Sequence, residues 1–474
     1  MAATQAPAAH ARRVPPGPPR RQTLGLLGKL ATDRLTLMAT AAGRYGDAVR
    51  MAIGPKTLYF FNHPDHAKHV LADNAANYHK GIGYVQARRA LGDGLLTSEG
   101  ELWKKQRRMI QPVFQARRIA QQTSVITDEA AKLVDRLRGH AAGGEPVDVL
   151  QEMTGLTLGV LGRTLLDADL GAFGDVGHSF EAVQDQAMFE MVTLGMVPMW
   201  VPLPKQLRFR RAQSSLQKVV DTLVADWTEG KGGASGADGA GAAGAGAGAG
   251  GDDVLSRLID STRREPDPRV GRQRMRDELV TLLLAGHETT ASTLGWTFYL
   301  VDQHPEVWDR LHDEAVRVLG DRPPVYEDLH RLRYTSMVVE EVMRLYPPVW
   351  ILPRMAQAED EVGGYRVPAG ADVLICPFTL HRHPGFWDAP ERFDPGRFDP
   401  DRVADRPRYA YIPFGAGPRF CVGNNLGMME AVFVIATIVR ELRLTTVPGY
   451  RAVPEPMLSL RVRGGLPMTI STVR

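Results

Sequence analysis

Ten consecutive residues decide the fold of this chain: Phe414-Gly415-Ala416-Gly417-Pro418-Arg419-Phe420-Cys421-Val422-Gly423. Their pattern, Phe-x-x-Gly-x-Arg-x-Cys-x-Gly, is typical of a loop that presents one cysteine sulfur to a bound group. Glycines let the backbone turn tightly, and backbone N–H groups that point at the sulfur temper its charge. Taken alone, Cys421 could be an inert buried thiol, but the surrounding loop favours a metal-ligand role.

At these residues the chain resembles the cytochrome P450 family of haem-thiolate monooxygenases. The resemblance implies that Cys421 is the axial ligand of the iron of haem b (iron protoporphyrin IX), where a thiolate favours O–O cleavage. It also implies that Arg419 pairs with a haem propionate and that Phe414 shields the sulfur from water. The expected fold is mainly α (α+β): a large helical body with a smaller β-rich portion, and haem buried between a long central helix and the cysteine loop.

Composition agrees with a globular enzyme and argues against a polyanionic partner. Hydrophobic residues make up 44% and charged residues 23% of the 474 positions, and the net charge is +3. No dense basic stripe is present, so nucleic-acid binding is not expected. With only two cysteines, Cys376 and Cys421, no disulfide framework is indicated and a cytoplasmic location is expected. We interpret Cys376, in an apolar strand-like run, as structural.

The N-terminal region contains no apolar run of about 18 residues, so we expect no transmembrane anchor. A proline-rich stretch over 14–19 resembles the one that follows the anchor in membrane-bound relatives, and its context here suggests a soluble, bacterial-type enzyme. Residues 1–14 are expected to be disordered, and 15–474 to form a single haem-thiolate monooxygenase domain. Within it, 230–251 is almost all Gly and Ala, which predicts a flexible loop between helices.

Hydrophobic periodicity outlines the rest of the chain. Residues 48–53 and 57–62 around Gly54-Pro55 predict a β-hairpin. Helical patterns run through 101–227, with breaks near Gly143 and around the prolines at 198, 202 and 204. Strand signals return near 362–376 and after Pro448.

The run 277–303 predicts one long helix that ends before a proline, with Ala285-Gly286-His287-Glu288-Thr289 near its centre. It resembles the central helix that crosses the distal haem face in the family. Ala285 and Thr289 are four apart and share a face, and Gly286 would leave room for dioxygen. The Thr289 hydroxyl would bond the distal oxygen, and Glu288 would relay protons inward.

The alternative interpretation of this stretch is a mid-helix threonine with a surface glutamate, which the nearby Cys421 motif disfavours. His287 has no partner at metal-ligand spacing, and we expect it to point away from the iron.

Glu341 and Arg344, at i and i+3 on a predicted helix, can pair on one face. In the family such a pair is buried and joined by an arginine of a Pro-Glu-Arg-Phe segment, here Arg392. We assign all three a structural role, because removing one member of a buried triad strands a charge.

A basic helix contains Trp103 and Arg107 at i and i+4. The resemblance implies that both contact a haem propionate and that Arg354 binds one as well. The neighbouring Lys104, Lys105 and Arg108 are a hypothetical docking patch for an acidic electron donor. No flavin or ferredoxin module is attached, so electrons would come from NAD(P)H through a separate ferredoxin or flavodoxin and its reductase.

Segments matching the family's substrate pocket are apolar and rich in methionine, which suits an irregular hydrophobic ligand. They contribute Met188, Phe189, Met191, Val192, Leu194, Met196, Leu284, Val349, Trp350, Ile351, Leu352, Met457 and Leu458. Many of these could instead be core residues. We expect hydroxylation or epoxidation of a terpenoid, polyketide or fatty-acyl molecule, in secondary metabolism. The apolar loop 196–203 could form the substrate entrance or touch a membrane or carrier protein.

Two other functions stay open at this point. One is a peroxide-driven hydroxylase of the same fold, although relatives of that type tend to replace the acid–alcohol pair that Glu288 and Thr289 form here. The other is a non-catalytic haem sensor or carrier, which would not need that pair.

Overall fold

The computed structural model describes residues 13–53, 56–166, 168–170, 176–193, 195–228 and 254–473. The loop predicted at 230–251, the turn predicted at Gly54-Pro55 and nearly all of the segment predicted to be disordered (1–14) lie outside these residues. Within the described part of the chain, no helix is long and apolar enough to cross a membrane.

The helices, numbered along the chain, are α1 (Thr23–Thr32), α2 (Arg34–Tyr45), α3 (Pro64–Lys68), α4 (Tyr84–Leu91), α5 (Gly100–Ile110), α6 (Ala116–Gln121), α7 (Thr123–Gly143), α8 (Val149–Leu166), α9 (Val176–Val192), α10 (Pro204–Thr228), α11 (Val254–Arg263), α12 (Pro268–Asp302), α13 (Pro305–Leu319), α14 (Arg333–Leu345), α15 (Pro377–Leu380), α16 (Pro400–Val403) and α17 (Asn424–Glu441). The strands are β1 (Ala48–Ile53), β2 (Lys56–Phe61), β3 (Tyr78–Lys80), β4 (Val147–Asp148), β5 (Leu352–Ala356), β6 (Asp360–Val362), β7 (Tyr365–Val367), β8 (Asp372–Ile375), β9 (Leu442–Thr446), β10 (Pro454–Pro456), β11 (Leu460–Val462) and β12 (Pro467–Thr472). The predicted mainly α (α+β) class is confirmed.

The chain divides into two compact units. Unit one consists of the described residues of Met1–Ile82, Ile351–Pro390 and Pro407–Phe420, and unit two of those of Gly83–Trp350, Glu391–Arg406 and Cys421–Arg474. The single domain expected over 15–474 stays a prediction.

Unit one contains the larger sheet. Its five strands are ordered β1-β2-β8-β5-β3, and only the β2–β8 pair is parallel. The predicted hairpin is present, with Ala48 opposite Phe61. The last four residues of β2, Leu58–Phe61, are all buried, so both faces of this strand are covered. Cys376, predicted to be structural, is buried at the end of β8, where burial raises the pKa of its thiol to about 11.

Unit two is mainly helical and is organised around α12. The helix begins where the Asp267 side chain accepts the Arg269 N–H and Pro268 occupies the first position. It therefore starts nine residues before the predicted boundary at Asp277, while its end at Asp302 precedes Pro305 as expected. Most residues of its C-terminal two thirds are buried. Residues 268–276 are mostly polar, and only Gly271 and Met275 among them are buried, so the apolar run that predicted the helix begins after the helix itself.

Candidate functional site

Cys421 lies directly before α17 in unit two. Its side chain is accessible at the surface, yet protein surrounds the sulfur on enough sides that burial raises the pKa of the thiol. The N–H groups of Gly423 and Asn424 and the guanidinium of Arg107 oppose that shift without cancelling it. A thiol in this position needs a further positive charge to be a thiolate at neutral pH, because its ordinary pKa is already near 9.

A bound metal supplies that charge, because coordination deprotonates a thiol outright. In the part of the chain that the structure describes, no three His, Cys, Asp or Glu side chains are grouped so as to hold a metal ion. A lone thiol with two backbone N–H groups and a guanidinium beside it fits a prosthetic group that brings its own metal and most of its ligands, and haem is such a group.

Phe414 and Arg419 belong to unit one. The loop there is shaped by Gly415 and Gly417, at φ +72° and +65°, a region that side chains rarely adopt. A Cβ at Gly417 would lie 1.9 Å from the Leu71 carbonyl oxygen, so only glycine fits. Phe414 and Arg419 are both half-buried. The shielding and propionate contacts implied for them stay predictions.

Trp103 and Arg107 are half-buried on one face of α5. Burial lowers the pKa of Arg107, and the Cys421 sulfur, close enough to interact electrostatically, opposes that shift. The structure thus brings Arg107 and Cys421 together, and the contact implied for Trp103 stays a prediction.

Arg354 belongs to unit one, where it occupies the middle of β5. It is only 5% exposed, and its Nη1 donates to the Pro353 carbonyl at 2.9 Å. A guanidinium buried to this degree requires acceptors for its donors. Burial is thus compatible with the implied contact to a haem propionate, which stays a prediction.

On α12, the predicted face of Ala285 and Thr289 is accessible although its neighbours are buried. Ala285 is exposed, and Leu282, Leu283 and Leu284 just before it are buried. The Thr289 hydroxyl donates to the Ala285 carbonyl at 2.7 Å. Such a bond competes with the helical hydrogen-bond ladder at that carbonyl. Ala285 and the half-buried Thr289 therefore form an accessible face in a part of α12 that is otherwise mostly buried.

Gly286 is explained by packing. A Cβ on this residue would lie 2.6 and 2.8 Å from the two methyl carbons of Leu161 in α8. The glycine therefore allows α8 and α12 to approach closely, a reason different from the expected one. Contact with dioxygen or haem at Gly286 stays a prediction.

His287 is buried, and its ring lies 5.0 Å from that of Phe180 in α9. Burial lowers the pKa of its imidazole, and Nδ1 lies 2.6 Å from the Leu283 carbonyl oxygen. These contacts turn the ring toward α9, in keeping with the expectation that it is not a ligand.

Glu288 has an unexpected partner. Its Oε1 accepts a hydrogen bond from the Ser459 hydroxyl at 2.7 Å, and its Oε2 lies 4.0 Å from Nε2 of His287. Ser459 precedes β11 and is 171 residues away along the chain. No local pattern marks it, so sequence analysis missed it.

The buried triad is present, but its third member is Arg397. Glu341 and Arg344 are fully buried and pair through two hydrogen bonds of 2.7 and 2.9 Å. Nε of Arg397, a residue that is 3% exposed, lies 3.5 Å from Glu341. The expectation for Arg392 was wrong: its side chain is 63% exposed and pairs with Asp394.

Arg392 contributes only its carbonyl, which accepts from Arg344 at 3.0 Å. Two Arg-Phe pairs follow each other here, Arg392-Phe393 and Arg397-Phe398. The Pro395–Phe398 turn carries the second arginine inward. The Pro-Glu-Arg-Phe motif indicated Arg392, and the structure has Arg397 in its place beside Glu341.

The residues expected at the substrate pocket separate by exposure. Met188, Leu284 and Trp350 are buried, and the Trp350 indole donates to the Met457 carbonyl at 2.9 Å. Met196 and Trp200, in the predicted entrance loop, are 77% and 74% exposed. Leu194 lies outside the described residues.

Comparisons with known proteins agree with this geometry. The family model of cytochrome P450 matches residues 15–466. From Streptomyces melanosporofaciens, cyclooctatin synthase is 35% identical over 88% of this chain and 87% of its own length, and cyclooctat-9-en-7-ol 5-monooxygenase is 36% identical over 85% and 84%. Pentalenene oxygenase from Streptomyces avermitilis is 30% identical over 85% of each chain. The crystal structure of the cytochrome P450DA haem domain matches with a TM-score of 0.83 over 98% of this chain and 99% of that one. Its sequence identity is 24%, so this likeness concerns the fold.

Proposed function

Because this chain belongs to the cytochrome P450 family, a family of haem-dependent monooxygenases, we propose that Cys421 ligates haem b and that the enzyme oxidises a terpenoid. When bound, thiolate-ligated haem supplies reductive activation of dioxygen, with insertion of one oxygen atom into the substrate. The environment of Cys421 carries the proposal: a recessed sulfur at the start of α17, faced by two backbone N–H groups and Arg107.

We assign the haem propionates to the cationic and indole side chains that the sequence motif selects. Arg107 and Trp103 share one face of α5. Arg354 and Arg419 would add two guanidinium groups, which can bind carboxylates through paired hydrogen bonds. Phe414 would keep water from the sulfur. Ala285 and Gly286 would form the wall of the haem site on its distal side. A larger side chain at 285 would occupy space on that side.

Proton delivery is assigned to Glu288 and Thr289. The Thr289 hydroxyl donates to the Ala285 carbonyl, and a change of side-chain rotamer can turn it away from that carbonyl toward the accessible side of α12. Glu288 is partly accessible, with its side chain 15% exposed, so its carboxyl can reload from solvent. The proposed path runs from water to the Glu288 carboxyl and then to Oγ1 of Thr289.

The substrate proposal draws on the relatives and on the apolar pocket segments. The three bacterial relatives bear names of terpenoid-oxidising enzymes, and the buried Met188, Leu284 and Trp350 offer apolar contact area. A terpenoid is therefore favoured over a polyketide or fatty-acyl substrate. It would place the enzyme in secondary metabolism.

For electron supply we propose NAD(P)H and a separate ferredoxin or flavodoxin with its reductase. The positive charge of the predicted docking patch on α5 is partly neutralised by Glu101, because Nζ of Lys104 lies 2.7 Å from its carboxylate. Lys105 and Arg108 are exposed and complete the patch. The cytoplasmic location and the single-domain organisation stay predictions.

The experiment that tests the proposal is the difference spectrum of the dithionite-reduced protein with and without carbon monoxide. A strongly red-shifted Soret band is expected, and a Cys421→Ser variant should lose it. A band at the ordinary haem position in the wild-type protein would overturn thiolate ligation. Spin-state titration with cyclic terpenes and with fatty acids of similar size then tests the substrate class.

The peroxide-driven hydroxylase and the non-catalytic haem carrier are less well supported. The relatives' names describe oxygenases, and Glu288 and Thr289 are both present on α12. Product formation from hydrogen peroxide at a rate matching that with NAD(P)H and dioxygen would reverse this ranking.

A further inference from the structure

The carboxyl group of Glu288 is held by a residue outside its own helix. The Ser459 hydroxyl donates to Glu288 Oε1 at 2.7 Å. Ser459 is only 2% exposed, so this hydroxyl has little access to water as an alternative partner. A buried hydroxyl that donates to a carboxylate makes a charge-assisted hydrogen bond, which is stronger than one between neutral groups.

The position of Ser459 is fixed by the strand that follows it. The Leu460 carbonyl accepts from the Ser292 hydroxyl at 2.5 Å and from the Trp296 indole at 3.0 Å, both on α12. The Leu460 N–H donates to the Pro348 carbonyl at 2.9 Å. The Ser292 contact joins the start of β11 to α12 one turn beyond Glu288. Together these bonds fix the position of the Ser459 hydroxyl.

A permanent cation lies two residues further on. Burial opposes the charge of Arg461, yet its pKa is raised, because its Nε donates to Glu455 at 2.9 Å and the carboxylates of Glu288 and Glu181 add their attraction. The same cation attracts Glu288 when Glu288 is ionised and not when it is protonated.

On the other side, Glu288 faces His287. Burial lowers the pKa of this imidazole, and Nδ1–H donates to the Leu283 carbonyl at 2.6 Å. In this tautomer Nε2 is an acceptor, 4.0 Å from Glu288 Oε2. It offers the ionised carboxylate no hydrogen bond. Ser459 is therefore the donor that decides where the ionised carboxylate rests.

We propose that Ser459 is the positioning residue of proton delivery, with Arg461 supplying charge: together they hold ionised Glu288 at the start of β11 between proton transfers. This inference rests on the relay role proposed for Glu288. A hydrated proton from solvent binds Glu288 Oε2, which cancels the attraction to Arg461 and weakens the bond from Ser459. The neutral carboxyl then turns toward Thr289 and gives the proton to Oγ1, and the hydroxyl passes its own proton to the dioxygen that is being reduced. The carboxylate, charged again, returns to Ser459.

The first test needs no substrate. Infrared difference spectra of the haem-loaded protein, with Glu288→Gln as the reference, isolate the carboxylate stretches of Glu288. Ser459→Ala should move these bands, because one carboxylate oxygen loses its donor, and Ser459→Thr should largely retain them. Thr297→Ala is the matched control: it removes a buried hydroxyl of α12 that donates to the Thr293 carbonyl of the same helix at 2.8 Å, away from β11 and Glu288. Unchanged bands in Ser459→Ala, or an equal change in Thr297→Ala, would overturn the inference.

The second test uses turnover with the first terpenoid that gives a spin-state shift. Ser459→Ala should lower the product formed per NAD(P)H about tenfold or more, the effect expected for one lost hydrogen bond to a charged group. It should also enlarge the solvent deuterium isotope effect, whereas Thr297→Ala should do neither. If Glu288→Gln alters neither quantity, the relay itself is wrong. If Glu288→Gln alters both and Ser459→Ala behaves like Thr297→Ala, only the role of Ser459 is wrong.

Discussion

Two carboxylates of unit two, those of Glu341 and Glu288, are held in opposite ways. Glu341 is fully buried, accepts two hydrogen bonds from Arg344 and one from the Asp394 N–H at 2.8 Å, and has Arg397 nearby. Glu288 is partly accessible and accepts one hydrogen bond, from Ser459.

The difference distinguishes a carboxylate with a structural role, Glu341, from one to which we assign proton transfer, Glu288. Both carboxylate oxygens of Glu341 accept hydrogen bonds and the side chain is fully buried, so the group has neither a route to solvent nor a reason to move. Glu288, to which Ser459 is the donor found among the described residues, can exchange that contact for another position at small cost. A carboxylate that must take up and release protons needs that second arrangement.

The largest effect is expected from Glu341→Gln. The change leaves Arg344 and Arg397 buried without their carboxylate, which costs about 3–5 kcal/mol of stability. The adjacent Glu340→Gln is the control, because burial raises the pKa of Glu340 to about 7 and part of this group is already neutral. Urea unfolding should show a large loss for the first variant and a small one for the second. Equal losses would contradict the structural role of Glu341.

Arg397 and Arg392 provide the next comparison. Arg397→Gln removes a buried cation beside Glu341, and we expect a loss of about 3 kcal/mol. Arg392→Gln removes an exposed guanidinium paired with Asp394, so a loss below about 1 kcal/mol is expected. Thermal and urea unfolding of both variants measure the difference. If Arg392→Gln were the more damaging of the two, the triad would have been assigned to the wrong arginine.

These residues also show how far sequence reasoning reaches. The long central helix, the Cys421 motif and the Glu341–Arg344 pair depend on residues close together along the chain, so their spacing predicts them. The choice between Arg392 and Arg397 depends on which turn the backbone makes at Pro395–Phe398. The Ser459 contact depends on how β11 meets α12, and the close approach at Gly286 depends on Leu161 of another helix. Chain-distant contacts of this kind leave no periodicity in the sequence.

Gly286→Ala tests whether the region beside Glu288 is limited by packing. The new Cβ would meet Leu161 at under 3 Å, and overpacking of this kind costs about 1–3 kcal/mol. A second change, Leu161→Ala, should restore part of the loss in the double variant, because it removes the atoms that clash. Unfolding free energies of the four proteins in this cycle measure the coupling. Additive losses would show that glycine is required at 286 for a reason other than the close contact with Leu161.

Glu278 on α12 extends the comparison to a carboxyl that pairs with no cation among the residues the structure describes, and the expected effect at neutral pH is the smallest. It is 2% exposed and accepts the Leu95 N–H at 3.0 Å, and burial raises its pKa to about 8. The folded protein therefore keeps a proton on Glu278 between about pH 4.5 and 8, where the unfolded chain has lost it. The stability that this proton contributes is fully present below pH 4.5 and falls by at most about 1.4 kcal/mol per pH unit as the pH rises to 8.

Glu278→Gln resembles the protonated form, so it should change stability at pH 6 by less than about 1 kcal/mol. It should also flatten the decline between pH 6 and 8 relative to the wild-type protein. Urea unfolding of Glu278→Gln and of Glu340→Gln at several pH values distinguishes the contribution of Glu278 from that of Glu340, another carboxyl whose pKa burial raises. If Glu278→Gln leaves the slope of stability against pH unchanged between pH 6 and 8, Glu278 is ionised in the folded protein over this range. Glu278 would then resemble Glu341, a buried carboxylate whose charge is balanced by hydrogen-bond donors within the protein.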